Sequence, residues 1–330
     1  MPRFDEFQER VESGEEANPI KLMNLADSGC GKTGALASLA NAGYRLFIAD
    51  YDVGVQILAD YLTKEGASRV FFKTYTDPME SDGMFTWPKG MPGAWSKSLQ
   101  DIQSWKELAD GKTVNMGGVN SWGATDVLVI DSLTFMSRAA MRYEMFMDMQ
   151  SGNASSKEKM IRWLHPFPRD FGGAQNRIEK FFELIYSKGV NCNLVVNAHI
   201  RRLGGGGKTL VKDKETNVSY MRKMDSESDG VGYPVTVGRA LSPHLARYFN
   251  TVVMMTVDGS GAGARHFIHT VPQNNTPLKI EAPSKVKSLL EVNGGAPDTG
   301  LAKLFSLLRP FQLSPKTKTE ERSNSQTLRK

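Results

Sequence analysis

The sequence predicts an α/β protein with a mainly parallel central sheet flanked by helices, and three observations carry that prediction. Short apolar runs alternate with helical segments along the chain. Runs such as DVLVI at 126–130 and NLVVNA at 193–198 are continuously apolar, as strands buried on both faces are. Third, ADSGCGKT at 26–33 stands between such a run and an Ala/Leu-rich segment, the strand–loop–helix setting of a phosphate cradle.

The elements follow in order. Residues 1–18 are polar and charged and read as an N-terminal arm. The run at 20–25 reads as a strand, and 33–41 as a helix ended by Gly43. Apolar runs at 45–49 and 70–75 predict two more strands, with a helix over 53–62 between them. Residues 76–124, rich in Gly, Pro and Trp, read as an irregular surface insertion with one helix at 96–108. The strand at 126–130 should lead into a long helix over 133–149, and a further helix over 173–188 into the strand at 193–198. The segment 251–271 reads as a β-hairpin around GSGAGA, followed by short helices near 285–292 and 301–308. The expected organisation is therefore an arm (1–18), one core domain (19–292) with the insertion at 76–124 and a flexible basic loop at 201–232, a short helical extension (293–309), and a disordered basic tail (310–330).

Composition narrows the class. At 330 residues, 40% hydrophobic and 23% charged, the chain can build a core and is not wholly disordered. No apolar run approaches the ~20 residues of a membrane span, and the start lacks the apolar stretch of a secretory signal. Two cysteines, Cys30 and Cys192, make neither a disulfide framework nor a multi-cysteine zinc site, which points to a reducing, cytoplasmic setting. The net charge is +5, but residues 309–330 hold six basic and two acidic residues, so the body is close to neutral.

The strongest site signal is the loop itself. In Asp27-Ser28-Gly29-Cys30-Gly31-Lys32-Thr33-Gly34, backbone N–H groups and the helix N-terminus can face phosphates. Lys32 can neutralise β- and γ-phosphates and the Thr33 hydroxyl can ligate Mg²⁺. The first position of the motif, usually glycine, is Ala26. Asp131, at the tip of DVLVI, is placed to hold the Mg²⁺ shell, though Asp or Ser there can equally cap the next helix. Past the second strand, Asp52 is the preferred general base and Asp50 the second candidate. His199, two residues after Asn197 at another strand tip, is either a sensor of the γ-phosphate or a residue packing the strand end. A second GKT, at 207–209, is followed by strand-like or loop sequence rather than a helix, lacks the dipole that completes a cradle, and reads as a flexible loop.

GCGKT, LFIADYD, VLVIDS and VVNAHI, with the Pro/Gly segment at 233–250 leading into TVVMMTV, resemble a RecA-like P-loop NTPase core. The chain is similar to the phage-encoded, AAA-type nucleotide-binding ATPases of the Sak-type annealing and recombination family over roughly residues 20–275, the 76–124 insertion excepted. That resemblance implies ATP and Mg²⁺, a single-stranded DNA partner, a homo-oligomeric ring or filament, and a host-cytoplasmic location. The family's first loop glycine is Ala26 here, and Asp52 stands where RecA-like proteins usually carry Glu. By the same resemblance the loop after His199 faces DNA. It carries seven basic residues, Arg201, Arg202, Lys208, Lys212, Lys214, Arg222 and Lys223, against two acidic ones over 201–224, with Tyr220 among them. Flexible basic segments hold backbone phosphates and aromatics stack on unpaired bases, whereas a solvated surface loop would share the same composition. The function expected is an ATPase of DNA recombination or single-strand annealing. The alternative is a nucleotide-gated scaffold with little turnover. A GTPase is disfavoured by the lack of an Asn-Lys-x-Asp motif, and an ABC ATPase by the lack of an LSGGQ-like one.

Overall fold

Strands that are apolar on both faces need cover on both faces, and the chain supplies it. The computed structural model describes residues 18–84, 86–109, 111–150, 162–163, 165–187, 190–203, 208–212, 219–223, 231–238, 240–273 and 275–309. The first unit is β1 (Lys21–Ala26), α1 (Lys32–Asn41) and β2 (Arg45–Asp50), followed by a 3-10 turn at Val55–Asp60, the short α2 (Lys64–Ala67) and β3 (Val70–Thr74). Two hairpins flank α3 (Ala94–Gln103): β4 (Met79–Ser81) with β5 (Thr86–Pro88), and β6 (Trp105–Ala109) with β7 (Lys112–Gly117). Next come β8 (Asp126–Asp131), α4 (Leu133–Gln150), α5 (Pro168–Tyr186) and β9 (Asn193–Leu203). Then β10 (Lys208–Lys212), β11 (Ser219–Lys223) and β12 (Val231–Pro234) precede a 3-10 turn at Ser242–Tyr248. The chain closes with β13 (Thr251–Asp258), β14 (Arg265–His269), β15 (Leu289–Val292) and α6 (Gly300–Leu308).

The main sheet runs β15-β14-β13-β1-β9-β8-β2-β3, with β12 added to the far end of β9. From β13 to β3 every neighbouring pair is parallel, and β14 and β15 extend one edge antiparallel. The mainly parallel sheet, the flanking helices and the late hairpin follow the expectation from sequence. Side chains alternate between two cores, as a period of two requires. Met23, Leu25, Phe47, Leu128, Ile130 and Val196 face α4 and α5; Leu22, Leu46, Ile48, Val129, Val195 and Val253 face α1 and α6. In α6, Phe305 is fully buried and meets Tyr44 edge-on, centroids 5.4 Å apart.

Several expectations are corrected. Residues 76–124 are not a surface excursion. Trp105 and Trp122 are buried against Phe47, with the Trp122 ring stacked on it at 4.0 Å, so the insertion covers the β2 side of the sheet. The helix expected over 96–108 ends at Gln103 because Trp105 to Ala109 pairs with β7. The helix expected over 53–62 is a 3-10 turn, and 289–292 within the expected helix 285–292 is β15, whose hydrogen bonds go to the open edge of β14. A short apolar run does not reveal which partner will complete its backbone bonds. The described residues of the expected flexible loop at 201–232 lie in strands: β9 continues to Leu203, β12 returns alongside it, and β10 pairs with β11. The arm 1–17 and the tail 310–330 lie outside the described residues. No helix among the described residues is long and apolar enough to cross a membrane.

Candidate functional site

Parallel strands bring their C-terminal tips to one edge, where loops and helix starts converge. Register places Asp50 of β2 beside Asp131 of β8, Asp131 beside Asn197 of β9, Asn197 beside Asn24 of β1, and His199 beside Ala26. The result is a buried polar row across the sheet, tied by Asn24 Nδ2 donating to Asn197 Oδ1 at 3.0 Å. Asn24 is a residue the sequence reading missed. Its signal was a lone amide inside an otherwise apolar strand, which must find a partner when buried.

The loop leaves β1 at Ala26, which is fully buried, so a methyl group fits the position where the motif usually has glycine. Gly29 and Gly31 hold φ values of 80° and 83°, the left-handed region that glycine enters without Cβ strain. Asp27, Ser28 and Gly29 are exposed at the mouth. Lys32 is buried and curls back, donating to the Ala26 carbonyl (3.1 Å) and the Asp27 carbonyl (2.9 Å). Burial pushes its pKa down, and Asp131 acts in the other direction. Two residues further along α1, Gly34 lies against the Tyr61 ring, which an added Cβ would approach to 3.1 Å.

Thr33 Oγ1 donates to Asp131 Oδ2 at 2.7 Å. Burial pushes the Asp131 carboxyl up to about 6, with the Thr33 and Asn197 side chains offsetting part of the rise and Asp50 adding to it. The pair offers hard oxygens, and the buried Ser132 hydroxyl beside it has no protein partner. Among the described residues no cluster of three or more His, Cys, Asp or Glu could hold a metal alone. Mg²⁺ commonly relies on one or two side chains plus substrate phosphates, so this donor set fits it.

The two aspartates after β2 separate by geometry. Asp50 is buried, and its carboxylate accepts the backbone N–H of Asp52 (3.1 Å) and of Gly54 (3.4 Å), so it shapes the turn. That turn holds Val53 at φ 58°, a strained conformation for a β-branched residue that nothing in the sequence announced. Asp52 is exposed, with Oδ2 3.7 Å from His199 Nε2. Burial, followed by Lys32, lowers the His199 pKa, while Asp52 raises it. His199 also meets the Phe135 ring edge-on, and its backbone N–H donates to Thr134 Oγ1. The structure thus brings Lys32, Thr33, Asp131, Asp52 and His199 to one edge of the sheet.

The basic candidates are spread along strands. Arg201, exposed, and Arg202, half-buried, continue β9 beyond His199 opposite Tyr233 and Gly232. Lys208 and Lys212 lie on β10, Arg222 and Lys223 on β11, with Lys208 in register with Lys223. Lys214 lies outside the described residues. Arg247 is paired with Glu179 at 2.6 Å on the surface.

No family model matches the chain, and no curated protein matches it. Among the solved structures that align with it is the crystal structure of the RadB recombinase, at 10% identity and a TM-score of 0.36 over 87% of this chain and 94% of that one, a likeness too low to rest a fold or an activity on.

Proposed function

We propose that the chain is a RecA-type P-loop ATPase that binds Mg-ATP at the tips of β1 and β8, and whose nucleotide state governs assembly on single-stranded DNA in recombination or strand annealing. The resemblance to phage-encoded, Sak-type ATPases gives the family reading. The observation that carries the nucleotide site is the 2.7 Å bond from Thr33, in the first turn of α1, to the buried Asp131 at the end of β8. Two residues 98 positions apart make the threonine–carboxylate pair that this chemistry needs.

In this reading the loop N–H groups and the α1 N-terminus bind the phosphates, and Lys32 exchanges two carbonyl partners for phosphate oxygens. Mg²⁺, when bound at Thr33 and Asp131, supplies charge neutralisation at the β- and γ-oxygens. Asp52 orients and deprotonates the attacking water, with His199 alongside it. The strand β9 runs directly from His199 into Arg201 and Arg202, which links the phosphate end to the basic candidates. A second reading, a nucleotide-gated switch with little turnover, draws on the Asp52–His199 contact, which occupies the base candidate.

Steady-state ATP hydrolysis with and without single-stranded DNA tests this, with Lys32→Ala as the blank. DNA-stimulated turnover that the blank lacks is the expected result. Tight ATP binding without turnover, indifferent to DNA, selects the switch. ATP binding undiminished in the blank removes the site.

A further inference from the structure

His266 lies in the late hairpin, far in sequence from the phosphate motif, yet it touches the loop at its most constrained point. Its Nδ1 is 3.0 Å from the Cys30 carbonyl oxygen. A carbonyl only accepts, so Nδ1 carries the proton and donates. The ring also lies against Gly31: a Cβ there would come within 3.0 Å of Nδ1 and 3.3 Å of Cε1. Gly31 is therefore doubly constrained, by its φ of 83° and by the imidazole. The hairpin itself is anchored. Its strand β13 pairs in parallel with β1, the strand that launches the loop, and His266 is in register with Val257 of β13.

The consequence follows from peptide geometry. The Cys30–Gly31 peptide is trans, so its C=O and N–H point in opposite directions. With the Cys30 oxygen held toward the hairpin, the Gly31 N–H is turned away from it, to the side where phosphates are cradled. We propose that His266 is a positioning residue for nucleotide binding: its Nδ1–H holds the Cys30 carbonyl and so aims the Gly31 N–H at the phosphates. This rests on the nucleotide reading of the loop. The motif contributes the donor, and the hairpin fixes which way it faces before ligand arrives.

The test is an equilibrium titration of ATP and of ADP into the full chain and three variants, with the melting temperature of each nucleotide-free protein as a check of folding. His266→Asn places an amide N–H where Nδ1 stands, His266→Leu has the same branched shape without a donor, and Lys32→Ala is the reference for a lost site. The Leu variant should bind both nucleotides about 3- to 10-fold more weakly, the worth of one hydrogen bond, and alike because both carry the α- and β-phosphates. The Asn variant should stay within about twofold of the parent. Should the Leu variant not fold, His266→Gln, whose amide falls at the Nε2 position, takes its place and should show the same loss. Parent-like affinity in the donor-less variants, with binding lost in Lys32→Ala, overturns the inference. So does an equal loss in Asn and Leu. Undiminished binding in Lys32→Ala instead overturns the nucleotide reading itself.

Discussion

The tripeptide Gly-Lys-Thr occurs twice in this chain and folds two ways. At 31–33 it opens α1, with Gly31 as the N-cap and Lys32 drawn into the loop. At 207–209 the lysine and threonine begin β10, paired residue for residue with β11. The sequence that follows decides the outcome. After Thr33 come Gly, Ala, Leu and Ala, good material for a buried helix against a sheet. After Thr209 come Leu and Val and then charged residues, which pair across a hairpin. A strand offers no cluster of N–H groups converging on one point, so the second lysine has no cradle to belong to.

The largest expected effect separates the two lysines directly. Lys32→Ala should weaken ATP binding by roughly 100-fold or more, since charge-assisted bonds to two phosphates are lost, whereas Lys208→Ala should leave it within about twofold. A titration in which both variants fall equally would erase the distinction. The threonines come next. Thr33→Ala should slow Mg-dependent hydrolysis by roughly 10- to 100-fold, because the hydroxyl bonds Asp131 and on the proposed reading would ligate the cation, while Thr209→Ala should be silent. Equal rates in the two variants would detach Asp131 from the loop.

Charge on the other segment sharpens the comparison from the opposite side. Reversing Arg201, Arg202 and Lys208 should flatten the salt dependence of single-stranded DNA binding by a slope of about 2, at ~0.7 per phosphate contact, with ATP affinity unchanged. An unchanged slope would take this segment out of DNA binding.

The smallest effect is on stability, and its sign is fixed. Burial holds the Asp131 carboxyl at about 6, above the ordinary value of ~3.9, so the folded chain keeps a proton that the unfolded chain has released. Stability therefore falls as pH rises from about 4 to about 6, and the penalty, at most about 3 kcal/mol, is complete above that. With chelator and no nucleotide, Asp131→Asn should melt higher than the parent at pH 7.5, with the gap closing near pH 4. Coincident melting curves at both pH values would mean that the charge costs nothing where it sits.

What was legible in the sequence was local. Lys32 and Thr33 stood out in a loop set between an apolar strand and an Ala/Leu-rich helix, and Asp131 at the tip of an apolar run, each a local signal. The parallel sheet was legible for the same reason. Asp50 and Asp52 could not be ranked, since only the turn shows that Asp50 accepts the N–H groups of residues 52 and 54. Asn24 finds its partner 173 residues away and His266 finds Cys30 at a distance of 236, and no spacing rule spans such intervals. Trp105 and Trp122 fell in a segment that read as a surface insertion, because what they pack on, Phe47, belongs to another part of the chain. The strands β10, β11 and β15 were missed because a strand exists only once its partner is present.

One contact at the foot of the sheet joins the two ends of the described body. The Arg309 guanidinium donates to the Asn18 carbonyl at 2.9 Å, just before β1 begins and just after α6 ends. The loop that carries Lys32 and Thr33 follows the other end of the six-residue β1, about 20 Å away. The first and last residues of the described body, Asn18 and Arg309, therefore share one corner of the sheet, at the end opposite the loop that follows β1.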